Sequence, residues 1–429
     1  MRRVGFSRCM GVGGSLLRAG TGVGYGEPGT PPRHAMTTDP LDDAVSRQYE
    51  RWVYPEPITD LPAWLEDNWQ WFDPSHAQPV LWPDRPPRPD LDILVAGCGA
   101  NQAATLALTN PGATVVGIDV SRPSLDHQQR LADANGLGNL ELHLLPIERA
   151  GELGRDFDLI ISTGVLHHMA DPAEGMRALA GCLRQDGVLA VMLYAKYGRI
   201  GVEMMQGAFR DMGLGQDEAS LEVVKATVGE LPPDHPLQGY LSIAPDLQYD
   251  AGVVDTFLHQ RDRNYTVDDC LALVESAGLV FDDWFLKSSY YPLAGMAPAL
   301  LDAVARLPVQ RQWAVMERIN WRNGCHFFTA CRPDRPEESY VVDFSSPDAS
   351  AYVPAPRHLC AVTDDGVARS DWAVTLDDQQ MALARRMDGQ RSIGEIADGI
   401  ADPAYALALF QSLWLLDFIA VRLPAADGG

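Results

Sequence analysis

Through the middle of the chain, short apolar runs alternate with amphipathic stretches. "DILVAGC", residues 92–98, is an apolar run that breaks into a glycine turn, and a helix is expected from about Asn101. "TVVGIDV" predicts a second strand, and "SRPSLDHQQRLADANG" a helix with Ser121 as cap and Gly136 as stop. "LELHLL" is the third strand and "FDLIISTG" the fourth. "DPAEGMRALAGCLRQDG" is the next helix, with Asp171 as cap and Pro172 at its first position, and "VLAVMLYA" is the fifth strand. Strands alternating with helices in this way predict a parallel sheet of the α/β, doubly wound kind.

The rhythm then stalls. Residues 196–264 read as helical fragments around a proline-bearing loop, "LPPDHPLQGY". It resumes with "TVDDCLALVESAGLVFDDWFL", a capped helix passing through Gly278 into a sixth strand. A second interruption, 287–321, precedes the last strand, "CHFFTAC". Both interruptions leave from strand ends where open sheets bind ligands, so they are expected to cap a site. The predicted organisation is a domain over 36–335, with core 91–195 and 265–332. A linker (336–370) rich in Pro, Asp and Ser leads to a C-terminal module (371–429). Residues 1–35 are glycine-rich and nearly free of acid, so a disordered, dispensable tail is expected there, with Met36 reading like a true start.

Composition narrows the partners. With 34 basic and 58 acidic residues in 429, the formal charge is −24. Such a surface repels phosphate backbones and anionic membrane, so no nucleic-acid or membrane partner is expected. The seven cysteines are scattered without metal-ligand spacing, which predicts reduced thiols in a cytoplasmic protein and no metal. No run reaches the about 18 apolar residues of a membrane span.

Gly97 and Gly99 stand where the first strand turns into a helix, a place where backbone approaches a ligand and free N–H groups are presented. Asp119 ends the second strand, where a carboxylate can accept both ribose hydroxyls. Any adenosine-bearing cofactor fits these residues. A dinucleotide fingerprint would want a third glycine where Gln102 stands, which disfavours a nicotinamide oxidoreductase.

"VAGCGANQ", "GIDVS", "FDLIISTGVLHHMADP" and "LRQDGVLAVMLY" fall at four successive strand ends, in order. Together they resemble the motifs of class I S-adenosylmethionine-dependent methyltransferases. The resemblance implies a mostly parallel seven-stranded sheet with the last strand antiparallel, helical cap insertions, and S-adenosyl-L-methionine as cofactor. It places Gly97, Cys98, Gly99 and Asn101 along the methionine side, Asp119 at the ribose and Val120 beside the adenine. Pro146 and Ile147 would cover the adenine's other face, with Glu148 near its amino group, and Thr163, Gly164 and Val165 would lie under the sulfonium. Ala96 stands where the family often has an acid, and Asn101 where it has a third glycine, so the holder of the methionine ammonium is left open.

The implied function is transfer of a methyl group to a small-metabolite or peptide acceptor by in-line displacement. The alternative is an inactive protein that binds S-adenosylmethionine and serves interaction or regulation. A general base is needed only for a protonated acceptor. The candidates for catalysis are His168, His259 and Tyr265. His167 and His168 also read as packing residues at a helix start. Within "DTFLHQRDRNYT", His259, Arg261, Asp262, Arg263 and Tyr265 form either an anion-binding or proton-taking cluster or a salt-bridged loop. Tyr290 and Tyr291 are candidates to wall the pocket, and Tyr49, Trp52 and Tyr54 to form an aromatic lid. The C-terminal module reads as helix, turn, helix, amphipathic helix and strand, with a capping box from Ser392 to Glu395. It resembles the small winged-helix domains that present peptides to modifying enzymes. Glu395, Asp398 and Asp402 exclude DNA readout and leave protein docking as its expected role.

Overall fold

In the computed structural model, residues 39–53, 55, 57–293, 295–369 and 372–424 are described; the expected tail at 1–35 and Tyr54 lie outside them. Three helices come first: α1 (Ala44–Arg51), α2 (Leu61–Asp67) and α3 (Pro74–Leu81). Each begins at an aspartate, Asp43, Asp60 or Asp73, whose carboxylate accepts backbone N–H groups of the first turn.

The apolar runs then become strands β1 (Asp92–Ala96), β2 (Thr114–Asp119), β3 (Leu140–Leu144), β4 (Phe157–Thr163) and β5 (Leu183–Tyr194), all parallel to one another. Helices α4 (Gln102–Thr109), α5 (Arg122–Asn135) and α6 (Pro172–Ala180) connect them. Ser121 and Asp171 cap as the sequence predicts, and Gly136 ends α5 in the left-handed region. One expectation changes: α6 stops at Ala180, and Leu183 already pairs with Phe157, so "LRQDG" belongs to β5.

The first insertion folds as α7 (Ile200–Asp211), α8 (Glu218–Glu230), α9 (Leu237–Leu241) and α10 (Asp250–Phe257), around Val202, Phe209, Val224, Leu237 and Val254. Next come α11 (Val267–Ser276), begun by a Thr266–Asp269 capping box, and β6 (Val280–Trp284). The second insertion holds α12 (Pro298–Ala305) and α13 (Val309–Ile319), and β7 (Cys325–Cys331) runs antiparallel to both β5 and β6. The sheet order is β3-β2-β1-β4-β5-β7-β6. Chain order reverses between β1 and β4, which opens a crevice beyond their carboxyl ends.

Strands β8 (Val353–Pro356), β9 (Ala361–Val362), β10 (Gly366–Ala368), β11 (Ala373–Thr375) and β12 (Ile419–Arg422) join helices α14 (Asp378–Ala384), α15 (Ile393–Ala397) and α16 (Pro403–Leu415) at the C-terminus. β12 pairs with β8, and β9 to β11 form a small sheet. The stretch expected as a linker takes part in this packing: Phe344, Ala349 and Tyr352 are buried with Phe410 and Leu413. Asp417 binds the module to the sheet. Its carboxylate accepts the backbone N–H groups of Lys287 and Ser288 and a hydrogen bond from Arg357 Nη1. Leu423 N–H donates to the Pro83 carbonyl at 2.7 Å. Among the described residues, no helix is long and apolar enough to cross a membrane.

Candidate functional site

The glycine turn after β1 is held from three sides. Gly97 and Cys98 N–H donate to the Ile118 carbonyl at 2.9 and 3.0 Å, and Gly99 N–H to Asp119 Oδ2 at 2.8 Å. From α5, the fully buried Gln128 donates to the carbonyls of Cys98 and Gly99 and accepts from Ala104 N–H. Gly97 has φ +77°, and a Cβ there would stand 2.4 Å from Val165 Cγ2. Only glycine lets the turn pass so close to the chain leaving β4.

At this turn a cavity of about 290 Å3 lies in the crevice. It is lined by Gly97, Cys98, Gly99, Asn101, Asp119, Val120, Ile147, Thr163, Gly164 and Val165, and by His168 on the opposite wall. Of the residues carried over for the cofactor, Pro146 alone does not line it. Glu148 and Tyr49, expected near the adenine and in the lid, do, as do Leu145, Ser46, Gln70, Ser124, Met192 and Tyr194, which the sequence did not single out for the cofactor.

These residues fit S-adenosylmethionine. Asp119 accepts one backbone N–H on each oxygen, from Gly99 and from Ser121, and each oxygen keeps a lone pair for a ribose hydroxyl. Burial pushes the Asp119 carboxyl up from its ordinary value, while the N–H groups of Ser121, Gly99 and Val120 pull the other way. Val120, Leu145 and Ile147 offer apolar surface for an adenine. Burial also raises Glu148.

One histidine lines the cavity, and two more pack behind it. His168 ends a short 3-10 turn, Leu166–His168, and its Nδ1 lies 2.9 Å from the Arg261 carbonyl. A carbonyl only accepts, so Nδ1 carries the proton and Nε2 keeps the basic lone pair. His259 stacks behind it with ring centroids 3.8 Å apart, outside the cavity lining. His259 Nδ1 accepts Arg261 N–H at 3.0 Å, and its Nε2 has no partner. His167 packs: its ring stacks on Tyr194 at 3.9 Å and Nδ1 accepts the Tyr194 N–H. Burial holds His167 and His259 well below the ordinary imidazole value.

Tyr265, expected at the site, is not there. Its ring packs in the core behind the cavity and burial pushes its hydroxyl up to about 12. Its carbonyl accepts from His326 Nε2 and Lys196 N–H. Nor do Tyr290 and Tyr291 wall the pocket: the first bonds His326 Nδ1 and the second donates to Asp283. Of the expected lid, Tyr49 lines the cavity and donates to Asp255 Oδ1 at 2.8 Å, while Trp52 packs on the first insertion. The arginines of "HQRDR" are engaged structurally, Arg261 with Asp43 and Arg263 with the Met169 and Ala170 carbonyls, so the cluster does not offer an anion site.

His168, Asp255 and His259 bring one potential ligand atom each within 4.8 Å of one another, as do His167, His168 and Asp262. The first group is ill-shaped for a metal. Stacked rings point their lone pairs side by side, so an ion in the plane of one lies off the plane of the other. His259 would also have to bind through the nitrogen that carries its proton.

Residues 94–189 match a protein family described as "Methyltransferase domain". An uncharacterised protein of Synechococcus sp. is 28% identical over 296 residues, 67% of this chain and 70% of its own. Trans-aconitate 2-methyltransferase of Deinococcus radiodurans is 34% identical over 138 residues, 32% of this chain and 51% of its own, so the chain spans about half of that relative. Among solved structures, PKMT2 from Rickettsia typhi in complex with AdoHcy shares the fold, with TM-score 0.59 at 14% identity over 83% of this chain and 76% of its own. The match over residues 94–189 identifies a methyltransferase domain in this chain, and the sheet order gives it the Rossmann-like fold.

Proposed function

We propose that the protein transfers a methyl group from S-adenosylmethionine to a small-molecule or peptide acceptor that loses a proton in the reaction, with His168 as the group that takes it. The observation that carries this reading is His168 itself, a cavity-lining imidazole whose Nδ1–H is committed to a backbone carbonyl.

The cofactor, when bound, supplies a methyl already activated by the positive sulfur. What remains for the protein is alignment, which contributes about 7–11 kcal/mol where reactants are held in near-attack geometry. The rigid turn at Gly97–Gly99, with Asp119, binds and orients the donor. Gly164, Val165, Tyr49 and Tyr194 line the same cavity, where they would help to exclude water from the bound donor. Among the described residues that line the cavity none is lysine or arginine, while Asp43, Asp119 and Glu148 are acids. An uncharged or cationic acceptor is favoured over a polycarboxylate, unlike the acceptor named for the Deinococcus relative.

Titration calorimetry with S-adenosylmethionine and S-adenosylhomocysteine tests the site. Wild-type protein is expected to bind both, with affinity at least about tenfold weaker in Asp119→Ala, which lacks two charge-assisted hydrogen bonds. Wild-type protein that binds neither ligand would overturn the reading.

A further inference from the structure

Asp262 lies between α10 and α11, is almost fully buried, and uses its two oxygens unequally. Oδ2 accepts from Arg199 Nη2 at 2.9 Å and Gln206 Nε2 at 2.7 Å. Oδ1 has no hydrogen-bond partner and lies 3.8 Å from His168 Nδ1. A buried carboxylate oxygen without a donor is costly. The cost is recovered if a neighbour becomes positive during the reaction, and His168 is placed to do so. Its neutral ring gives Nδ1–H to the Arg261 carbonyl; once Nε2 takes a proton the ring is a cation beside Oδ1.

The other groups around His168 are already committed. Asp255 accepts from Tyr49 and Gln48 on Oδ1 and from Tyr194 Oη on Oδ2, and burial raises its carboxyl. His167 stands edge-on at 4.2 Å and His259 is stacked; burial disfavours charge on either. Arg199, wholly buried, sits 3.5 Å over the Tyr194 ring and bonds Asn264 and Tyr240 Oη, which fixes the carboxylate it holds.

We infer that Asp262 is a positioning residue, held by Arg199, that stabilises the His168 imidazolium formed when Nε2 takes the acceptor's proton. In that step the acceptor's O–H or N–H bond breaks to Nε2. Its electron pair bonds the methyl carbon, and the carbon–sulfur pair returns to sulfur. The first insertion thus supplies a charge partner rather than the expected cap, since among the described residues none of 196–264 or 287–321 lines the cavity. The inference rests on the proposed role of His168, but its test needs no methyl transfer.

Nitrogen-15 NMR of the imidazoles, with His168 assigned by loss of its signals in His168→Gln, reads the effect on the full chain. In wild type the neutral ring is expected as the Nδ1–H tautomer, and the Asp262 side-chain carbon signal should shift at the pH where His168 protonates. In Asp262→Asn the proton affinity of His168 is expected to fall about tenfold, since the carboxylate oxygen that faces the imidazolium is gone. A wild-type Nε2–H tautomer, an Asp262 carbon that ignores the titration, or an unchanged His168 in Asp262→Asn would each overturn the inference. The wild-type readings decide even if Asp262→Asn does not fold. Calorimetry on Asp119→Ala judges the function separately, and failure there leaves these spectra interpretable.

Discussion

A single methyl group is enough to close the turn after β1. Gly97→Ala would set a Cβ 2.4 Å from Val165 Cγ2 at a φ of +77°, where side chains are strained as well as crowded. The variant should lose about 1–3 kcal/mol of stability. Calorimetry should show weakened S-adenosylmethionine binding, and urea unfolding the lost stability. Gln128→Leu tests the same turn from behind. It keeps the volume but leaves the Gly99 carbonyl and the Ala104 N–H unpaired, while the Cys98 carbonyl keeps only Gln102 N–H, so a loss of about 2–4 kcal/mol in urea unfolding is expected. Gly97, Gly99 and Asp119 were legible because each carries a local signature, a glycine at a strand end or an acid one strand later. Gln128 carried a fainter one, a polar residue between Leu125 and Leu131 on the apolar face of its helix. Asp262 carried none that set it apart, because its meaning lies in His168, which reaches it only through the fold.

The elements meet in ways that single segments do not announce. α11 opens with its own capping box, yet the next free amide, Val267 N–H, is taken by Glu317 Oε2 from α13. Glu317 Oε1 is buried without a partner, and burial raises the carboxyl from 4.5 to about 7. The folded protein holds that proton more tightly than the unfolded chain does, so this group's contribution to stability falls as pH rises from 4.5 through about 7. Glu317→Gln removes the titration and keeps an acceptor for Val267. The variant should match wild type near pH 4 and exceed it by about 1–3 kcal/mol at pH 8 in urea unfolding. Strand and helix starts were readable from alternation and caps, as at Ser121, Asp171 and Thr266. The early start of β5 was not, because "LRQDG" resembles a helix end and only pairing with Phe157 makes it strand. The helices of 196–264 were readable as apolar fragments, but not their arrangement, which is set by long-range packing of Val202, Phe209 and Val254.

Over the whole molecule, Asp417 ties together parts far apart in sequence. It sits at φ +62°, tolerable for aspartate, and is buried with Arg357. Asp417→Ala strands that guanidinium and two amides, so about 3–5 kcal/mol should be lost in urea unfolding. The seven-stranded sheet was legible from strand rhythm and motif order, since each strand carries its own apolar run. The joining of 336–424 to the sheet was not, because its Pro, Asp and Ser read as linker while the contacts that anchor it are backbone groups of Pro83, Phe285 and Lys287. That joining has a bearing on how the chain is made. Ribosomes deliver the amino end first, and domains usually fold as they emerge. Here the partner of the Pro83 carbonyl is the Leu423 amide, which leaves the ribosome only after every strand of the seven-stranded sheet has emerged. The sheet must therefore wait, one flank unsealed, until the C-terminal module has followed it out.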